Sequence, residues 1–492
     1  MNCTLFVTRK CRTLVGLVTL PILATNVSNA QVATPSSRPQ EAFDIMNFLA
    51  DRGLHDLQNE RWNAYGQATY ISSYKAPFRA RYTNLNGTPN SLTTDSEHSF
   101  TATATLYAGL GLWHGAELHW APEVISLRAL SQLRGLGGAI QNFELQKSGS
   151  MAPTLYTSRF FLRQTIGLGG TSVKKTSDPM QLGAKTTSKR LVFTIGKFSA
   201  LDLFDKNTFS GDLRRQFLNM SFLANSAYDF AADARGYSWG GAVELFYENW
   251  ALRWARMSPP KHPNQLEVDY RIYKYYGDQV EFEYNYQSFG RPGVFRVMGF
   301  RNRESMGRFD DALKVFASNP ERNAADCKSF NYDSANANAP DLCWVRRPNV
   351  KVGIGINIEQ QITDDLGLFF RGMYADGKTE VYSYMSTDRS ISFGALTRGS
   401  VWGRVEDLFG FGFASGWISK VHAQYLNAGG IDGFVGDGRL RRGSERVLEA
   451  FYSMNVVGPT WLSADVQRIT NPGFNIDRGP VTVLSGRFHA EY

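Results

Sequence analysis

Along most of the chain, apolar and polar positions alternate with a period of two. In SFTATATLYAGLGLWHGAELHWAPEV, Phe100, Ala102, Ala104, Leu106, Ala108, Leu110 and Leu112 alternate with Thr101, Thr103, Thr105, Tyr107, Gly109 and Gly111. The turn HG then reverses the chain into Ala116, Leu118 and Trp120, which alternate with Glu117 and His119. VGIGINIEQQITDDLGLFFRGMY repeats the construction: Val352, Ile354, Ile356 and Ile358 oppose Gly353, Gly355, Asn357 and Glu359, and after TDD, Leu366, Leu368 and Phe370 oppose Gly367, Phe369 and Arg371. Two further hairpins turn at EN, in SWGGAVELFYENWALRWARM, and at GPT, in LEAFYSMNVVGPTWLSADVQR. The last twelve residues, VTVLSGRFHAEY, place Thr482, Leu484, Gly486, Phe488, Ala490 and Tyr492 on one face and Ser485, Arg487, His489 and Glu491 on the other.

These predicted strands run roughly ten residues, the length that crosses a bilayer at a tilt. Many begin or end in an aromatic residue: Trp113, Trp120, Trp250, Tyr374 and Trp461. Tight turns alternate with long polar segments at Arg128 to Pro153, Glu304 to Pro348 and Lys420 to Arg446. A soluble sandwich would show the same alternation in any one hairpin. Here the apolar face recurs over many strands with no helices to cover it, while the opposite face carries charge. Lipid on one side and water on the other satisfies both faces, provided the sheet closes. The expected fold is therefore all-β, a transmembrane antiparallel β-barrel of about 16 to 18 strands, with short periplasmic turns and long external loops. Tyr492 is then the interfacial aromatic of a closing strand that pairs with the first strand near NAYGQATYI.

Helical periodicity is confined to EAFDIMNFLADRGLHD, where Phe43, Met46 and Leu49 share a face; Glu41 to Asp56 reads as a short amphipathic helix. Before it, Arg9, Lys10 and Arg12 precede the apolar stretch from Thr13 to Thr25, and Ser28 and Ala30 supply small residues. This is the pattern of a secretory signal peptide cleaved after Ala30, too short and Pro-interrupted to span a membrane. The expected organisation is a signal peptide over 1–30, an N-terminal segment over 31–61 and a barrel over 62–492. The chain is thus expected in the outer membrane of a Gram-negative cell, bordered by its lipid and lipopolysaccharide. The C-terminal strand ending at Tyr492 would be read by the barrel-assembly machinery.

Composition agrees. Mean hydropathy is −0.30, charged residues make up 20% and aromatics 13%, which excludes both a helical membrane protein and a disordered chain. The formal net charge of +8 includes the three basic residues of the signal, whose removal leaves +5. No basic block with interleaved aromatics suggests a nucleic-acid partner. Of four cysteines, Cys3 and Cys11 leave with the signal. Cys327 and Cys343 remain in one polar loop of an exported chain, where a disulfide is the natural state.

WNAYGQATYI (Trp62 to Ile71), LYTSRFFLRQTIGLGG (Leu155 to Gly170), IGKFSALDLFDKNTFSGDLRRQFLN (Ile195 to Asn219), AYDFAADARGYSWGGAVELFYENWALRWARM (Ala227 to Met257) and the closing strand resemble the carbohydrate-selective porins of the OprB-like family. The resemblance covers nearly all of the mature chain. It implies a barrel of about sixteen strands that passively admits small carbohydrates, with no cofactor and no catalysis. The alternative expectation is a plugged barrel acting in polysaccharide export or presenting its loops as a binding surface. Oligomeric state stays open.

Within a wide barrel, selectivity comes from a loop that folds inward. The segment Ser199 to Arg235 is the candidate, and its Asp202, Asp205, Asp212, Arg214, Arg215, Asp229, Asp233 and Arg235 are the constriction candidates. Mixed acids and bases suit sugar hydroxyls while leaving little net charge for ions. Equally, they could be salt bridges of a surface loop. Glu117, Arg159, Arg163, Glu281, Glu283 and Arg371, on the polar faces of their strands, are candidate lumen-lining residues or structural ion pairs of the interior. The seven histidines, His55, His98, His114, His119, His262, His422 and His489, form no i, i+4 metal pair, and no nucleophile motif accompanies them. GGIDGFVGDG (Gly429 to Gly438) resembles a calcium-binding turn but occurs once, and is expected to be a turn and no more.

Overall fold

The computed structural model describes residues 45–88, 90–321, 338–383 and 385–492, with Lys328–Ser329 and Tyr332–Asp333 as a short two-stranded ribbon. The expected signal peptide and Cys327 lie outside the described residues. Sixteen antiparallel strands close into one barrel in chain order: β1 (Trp62–Lys75), β2 (Glu97–Gly111), β3 (Ala116–Arg128), β4 (Thr154–Lys175), β5 (Ala184–Phe198), β6 (Ser238–Tyr247), β7 (Trp250–Met257), β8 (Tyr276–Ser288), β9 (Arg291–Met306), β10 (Arg347–Gln361), β11 (Leu366–Ala375), β12 (Arg389–Gly399), β13 (Arg404–Trp417), β14 (Glu445–Val457), β15 (Thr460–Thr470) and β16 (Val481–Glu491). Strand number falls at the lower end of the expected range. No helix among the described residues is long and apolar enough to cross a membrane.

Closure follows the expected seam. β16 pairs with β1 from Gln67↔Glu491 to Lys75↔Val483, and Tyr492 exchanges both backbone hydrogen bonds with Gly66 at 2.6 and 2.8 Å. The ladder thus leaves no free edge along this seam, as hydrocarbon requires. β1 overhangs the end of β16 by a few residues. There the helix α1 (Ile45–Asp51) lies against it, with the Ala64 N–H donating to Met46 Sδ at 3.4 Å. The helix is shorter than the sequence suggests, ending at Asp51 ahead of Gly53, and residues 41–44 lie outside the described part.

The alternation puts apolar side chains outside and polar ones inside. Leu106, Leu110, Ile354, Leu484 and Phe488 are exposed on the outer wall, whereas Thr101, Thr103, Asn357, Arg487 and His489 are buried within. One expected edge aromatic is corrected. Trp461 is fully buried, because the phase of β15 turns Leu462 and Val466 outward and Trp461 inward with Ser463 and Asp465. Its ring lies 5.9 Å from His489 and carries the Arg215 guanidinium 4.0 Å above it.

The hydrophobic core fills one part of the lumen. Two long connections from the same rim, residues 129–153 after β3 and 199–237 after β5, fold into the barrel. They pack Leu136, Ile140, Phe204, Phe217, Met220, Phe222, Tyr228 and Phe230 against inward-facing Phe369 and Phe451. Each fully buried aromatic stabilises the docked loop by roughly 2–3 kcal/mol. The inner wall makes room for them: Gly367 faces inward, and a Cβ there would overlap the ring of Phe209.

Candidate functional site

The connection after β5 starts with a capped turn. Ser199 accepts from the Leu201 N–H, and the Ser199 N–H donates to Asp202 at 3.0 Å, which directs the chain into the lumen. Its polar groups then meet the inner wall. The Asp205 carboxylate accepts from Asn225 N–H (2.6 Å), Asn225 Nδ2 (3.1 Å), Asn357 Nδ2 (2.7 Å) and Arg371 Nε (3.2 Å). Arg371 also donates to Ser210 Oγ at 2.6 Å and to the backbone oxygens of Asp205 and Phe222. Glu281 receives the Asp205 N–H at 2.8 Å, and Glu449 receives those of Leu218 and Asn219 at 2.6 and 3.1 Å. Further along, Asp229 accepts from Lys351 Nζ (3.1 Å), Tyr382 N–H (3.0 Å) and Ser383 N–H (2.9 Å). Asp205, Asp229 and Arg371 are therefore buried pins.

The first inward loop is tied in the same way. Glu445 accepts the backbone N–H groups of Gly137, Gly138, Ala139 and Gly473 within 3.0 Å, and Met220 N–H donates to the Ile140 carbonyl at 3.0 Å, joining the two loops. Glu144 accepts from Thr101 and Thr103, while Lys147 donates to Glu123 at 2.7 Å.

What stays open to water is narrower. Lys206 and Gly211 are exposed, and Asp202, Thr208, Asp212, Leu213 and Arg214 are half-buried. Half-buried Arg159 and Arg163 of β4 and Arg190 of β5 line the wall. Asp202 and Arg159 form a two-pronged pair at 2.6 and 2.8 Å. Burial pushes the Asp202 carboxyl up, and the Arg159 guanidinium more than reverses this, so its pKa lies below the ordinary value. Arg214 lies 3.6 Å from Glu144, 3.7 Å from Glu123 and 3.5 Å from the Tyr107 hydroxyl. Tyr156 and Tyr237 complete this zone with ring centroids 6.3 Å apart, Arg235 lying over the first ring at 4.2 Å and Arg159 over the second at 5.0 Å.

The eight loop candidates thus lie inside the barrel but divide by task. Asp202 and Arg214 border the water path, Asp212 caps a local turn through the Arg214 N–H, and Arg215 is buried on Trp461. Asp233 pairs with Lys197 at 3.3 Å and accepts the N–H groups of Arg235 and Tyr237. Of the strand candidates, Glu117 binds Lys175 at 2.6 Å and His119 at 3.0 Å, and Arg163 lies 3.8 Å from it. Glu281 and Glu283 belong to a ladder that sequence reasoning missed in part. Arg253 joins Glu244, Glu281 and Glu283 at 2.9, 3.1 and 3.0 Å, and Arg296 joins Glu283 and Glu359 at 2.8 and 3.1 Å. The signal was present: Arg253 stands between outward Leu252 and Trp254, so alternation points it inward.

At the loop rim, His422 in α4 (Lys420–Asn427) bridges two carboxylates; Met220–Leu223 and Phe309–Ser318 are the earlier helices, α2 and α3. His422 Nδ1 lies 3.0 Å from Asp388, Nε2 lies 3.2 Å from Asp432, and the ring stacks on Phe309 at 4.2 Å. Asp432, in the glycine-rich turn, also accepts the Val381 N–H at 2.9 Å, so it ties loops together. Among the described residues no His, Cys, Asp and Glu cluster could hold a metal. Cys343 is disulfide-bonded. Burial lowers the His422 pKa, but Asp388 and Asp432 outweigh it and raise the value to about 9. Lys351, Asp341, Asp376 and Glu380 are further charged groups near these carboxylates and this helix. A raised folded pKa contributes stability fully present below the unfolded value of about 6.5 and lost as pH rises through about 9. Thermal unfolding at pH 6 and pH 10 is expected to show this loss, and His422→Gln to flatten the difference.

A closed barrel of sixteen strands, apolar outside and charged inside, with loops folded into its lumen, defines a membrane-spanning diffusion channel of the porin class. Residues 89–492 match the carbohydrate-selective porin, OprB family, and the chain belongs to that family of outer-membrane sugar channels. The fold is similar to that of Pseudomonas putida OprB in a high-pH structure, with a TM-score of 0.63 and 15% identity over 91% of this chain and 96% of that one. Pseudomonas aeruginosa OccK2 is less similar, with a TM-score of 0.42 and 9% identity over 89% of this chain and 98% of that one. The Acinetobacter baumannii channel DcaP gives 0.42 and 9% over 88% and 97%. No curated protein matches the sequence.

Proposed function

We propose that this porin discriminates small neutral carbohydrates at the passage between Asp202–Arg214 and the wall residues Arg159, Arg163 and Arg190. The observation that carries the reading is that the arginines flanking Asp202 and Leu213 there are paired with carboxylates, Arg159 with Asp202 and Arg214 with Glu123 and Glu144. Paired charges offer donors and acceptors to sugar hydroxyls while presenting little net field to an ion. The flanking rings of Tyr107, Tyr156 and Tyr237 suit the apolar faces of a pyranose. In this reading residues 1–30 direct export, 31–61 form a short N-terminal segment and 62–492 form the channel. Lipopolysaccharide borders it, and assembly machinery reads the strand that ends at Tyr492. Passage is passive, with no catalytic step. Liposome swelling tests it: glucose is expected to enter faster than a charged solute of similar size, and equal rates would sink the proposal.

A further inference from the structure

The connection between β4 and β5 lies at the rim opposite the inward loops, where the other turns are two to four residues long. It behaves differently. β4 has 22 residues, about twice the length needed to cross a bilayer, and its ladder with β5 slips between Gly167 and Gly169 and again before Ser172. Gly169 and Gly170 have φ of +97° and +89°, a conformation that suits glycine, and together they bend the hairpin.

The bend carries the tip, residues 176–183, across the inside of the barrel mouth. It passes the inward faces of four strands in turn. Arg163 of β4 donates to the Met180 carbonyl at 2.8 Å, and Glu117 of β3 accepts from Lys175 Nζ at 2.6 Å and Leu182 N–H at 3.3 Å. Leu182 is buried on the bare inner wall at Gly109 and Gly111 of β2, where added Cβ atoms would touch it. In β1, Asn63 donates to the Gln181 carbonyl at 2.8 Å and Tyr65 shares a 2.6 Å hydrogen bond with Ser177. Glu60 completes the clasp, accepting from Ser177 Oγ at 2.6 Å and Gly183 N–H at 2.7 Å. Three inter-strand steps make this a span of roughly 14 Å. Met180 reaches the loop core inside, while Asp178, Pro179 and Gln181 stay half-buried.

We propose that this hairpin tip is a second constriction, in series with the loop constriction, that limits the size of solute leaving the barrel. Its polar edge passes a monosaccharide and turns back a longer oligosaccharide. The sugar part of this rests on the function proposed above; the narrowing does not. Two variants test it in planar bilayers and liposomes: deletion of residues 178–181, and E60A/N63A, which cuts the clasp but keeps every strand and the full tip should the deletion fail to assemble. Salt conductance is expected to rise about twofold, and a linear tetrasaccharide to gain entry relative to the monosaccharide, with the ratio of neutral to charged solute unchanged. Unchanged conductance and size limit in E60A/N63A would overturn the proposal. A rise in salt conductance in a barrel that passes no sugar would remove the sugar reading and leave the constriction standing.

Discussion

Arg371→Ala is expected to release the inner loop and turn a selective channel into a leaky one. The guanidinium is fully buried and joins Asp205, Ser210 and the Phe222 carbonyl, so it holds the first two thirds of the loop at three points. Its removal leaves the Asp205 carboxylate buried with only Asn225 and Asn357 as partners. Breaking a buried pair from one side costs about 3–5 kcal/mol, enough to loosen the stretch from Asp205 to Phe222, while the Asp202–Arg159 and Asp229–Lys351 pairs still hold the segment on either side of it. Single-channel conductance is expected to rise several-fold as the lumen approaches the open width of a sixteen-stranded barrel. Arg371→Lys keeps the charge but not the fork, and falls between. An alanine variant with wild-type conductance would show that the aromatic core and the remaining ion pairs hold the loop without Arg371.

The second large effect concerns charge. In the double variant Arg159→Gln, Arg214→Gln, the carboxylates of Asp202, Glu123 and Glu144 lose the guanidinium groups that now lie within 3.7 Å of them. Lys147 still offsets one of these, since it contacts both Glu123 and Glu144. The passage gains net negative charge in a confined, partly desolvated space, where fields are strong. Reversal potentials in a salt gradient are expected to shift toward cation preference by about tenfold in permeability ratio, with slower glucose swelling. An unshifted potential would place the water path elsewhere in the lumen.

Much of this architecture was legible in the residue pattern because a barrel wall repeats one rule. Leu484 and Phe488 outward with Arg487 and His489 inward, and the seam of β16 on β1, follow from a period of two and the need for closure. That rule says nothing about a chain that leaves the wall. Asp202 and Asp205 stand three residues apart in one acidic stretch, yet one borders water and the other is a buried pin; only the path of the loop separates them. Trp461 shows the opposite limit, since an aromatic at a strand start was assigned to the lipid edge when its own neighbours Leu462 and Val466 set the phase. Arg253 and Arg296 obey the rule, but alternation only turns them inward; that they meet Glu283 together depends on the register between neighbouring strands, which alternation does not set. The β4–β5 tip was hidden because GLGG reads as a strand end, whereas two successive positive φ values bend the strand back inside.

The seam also constrains how the molecule folds. Gln67 and Glu491 are neighbours in space at opposite ends of the barrel sequence, so their pairing comes late and at high entropic cost. Until it forms, β1 and β16 are two open edges, each able to template another chain. Both inward loops are tied to strands on the far side of the seam, Glu445 and Glu449 of β14 among them, from connections after β3 and β5. Docking those loops therefore draws the C-terminal strands toward the N-terminal ones. The polar pins of the lumen, beyond shaping the channel, shorten the search by which the barrel finds its own end.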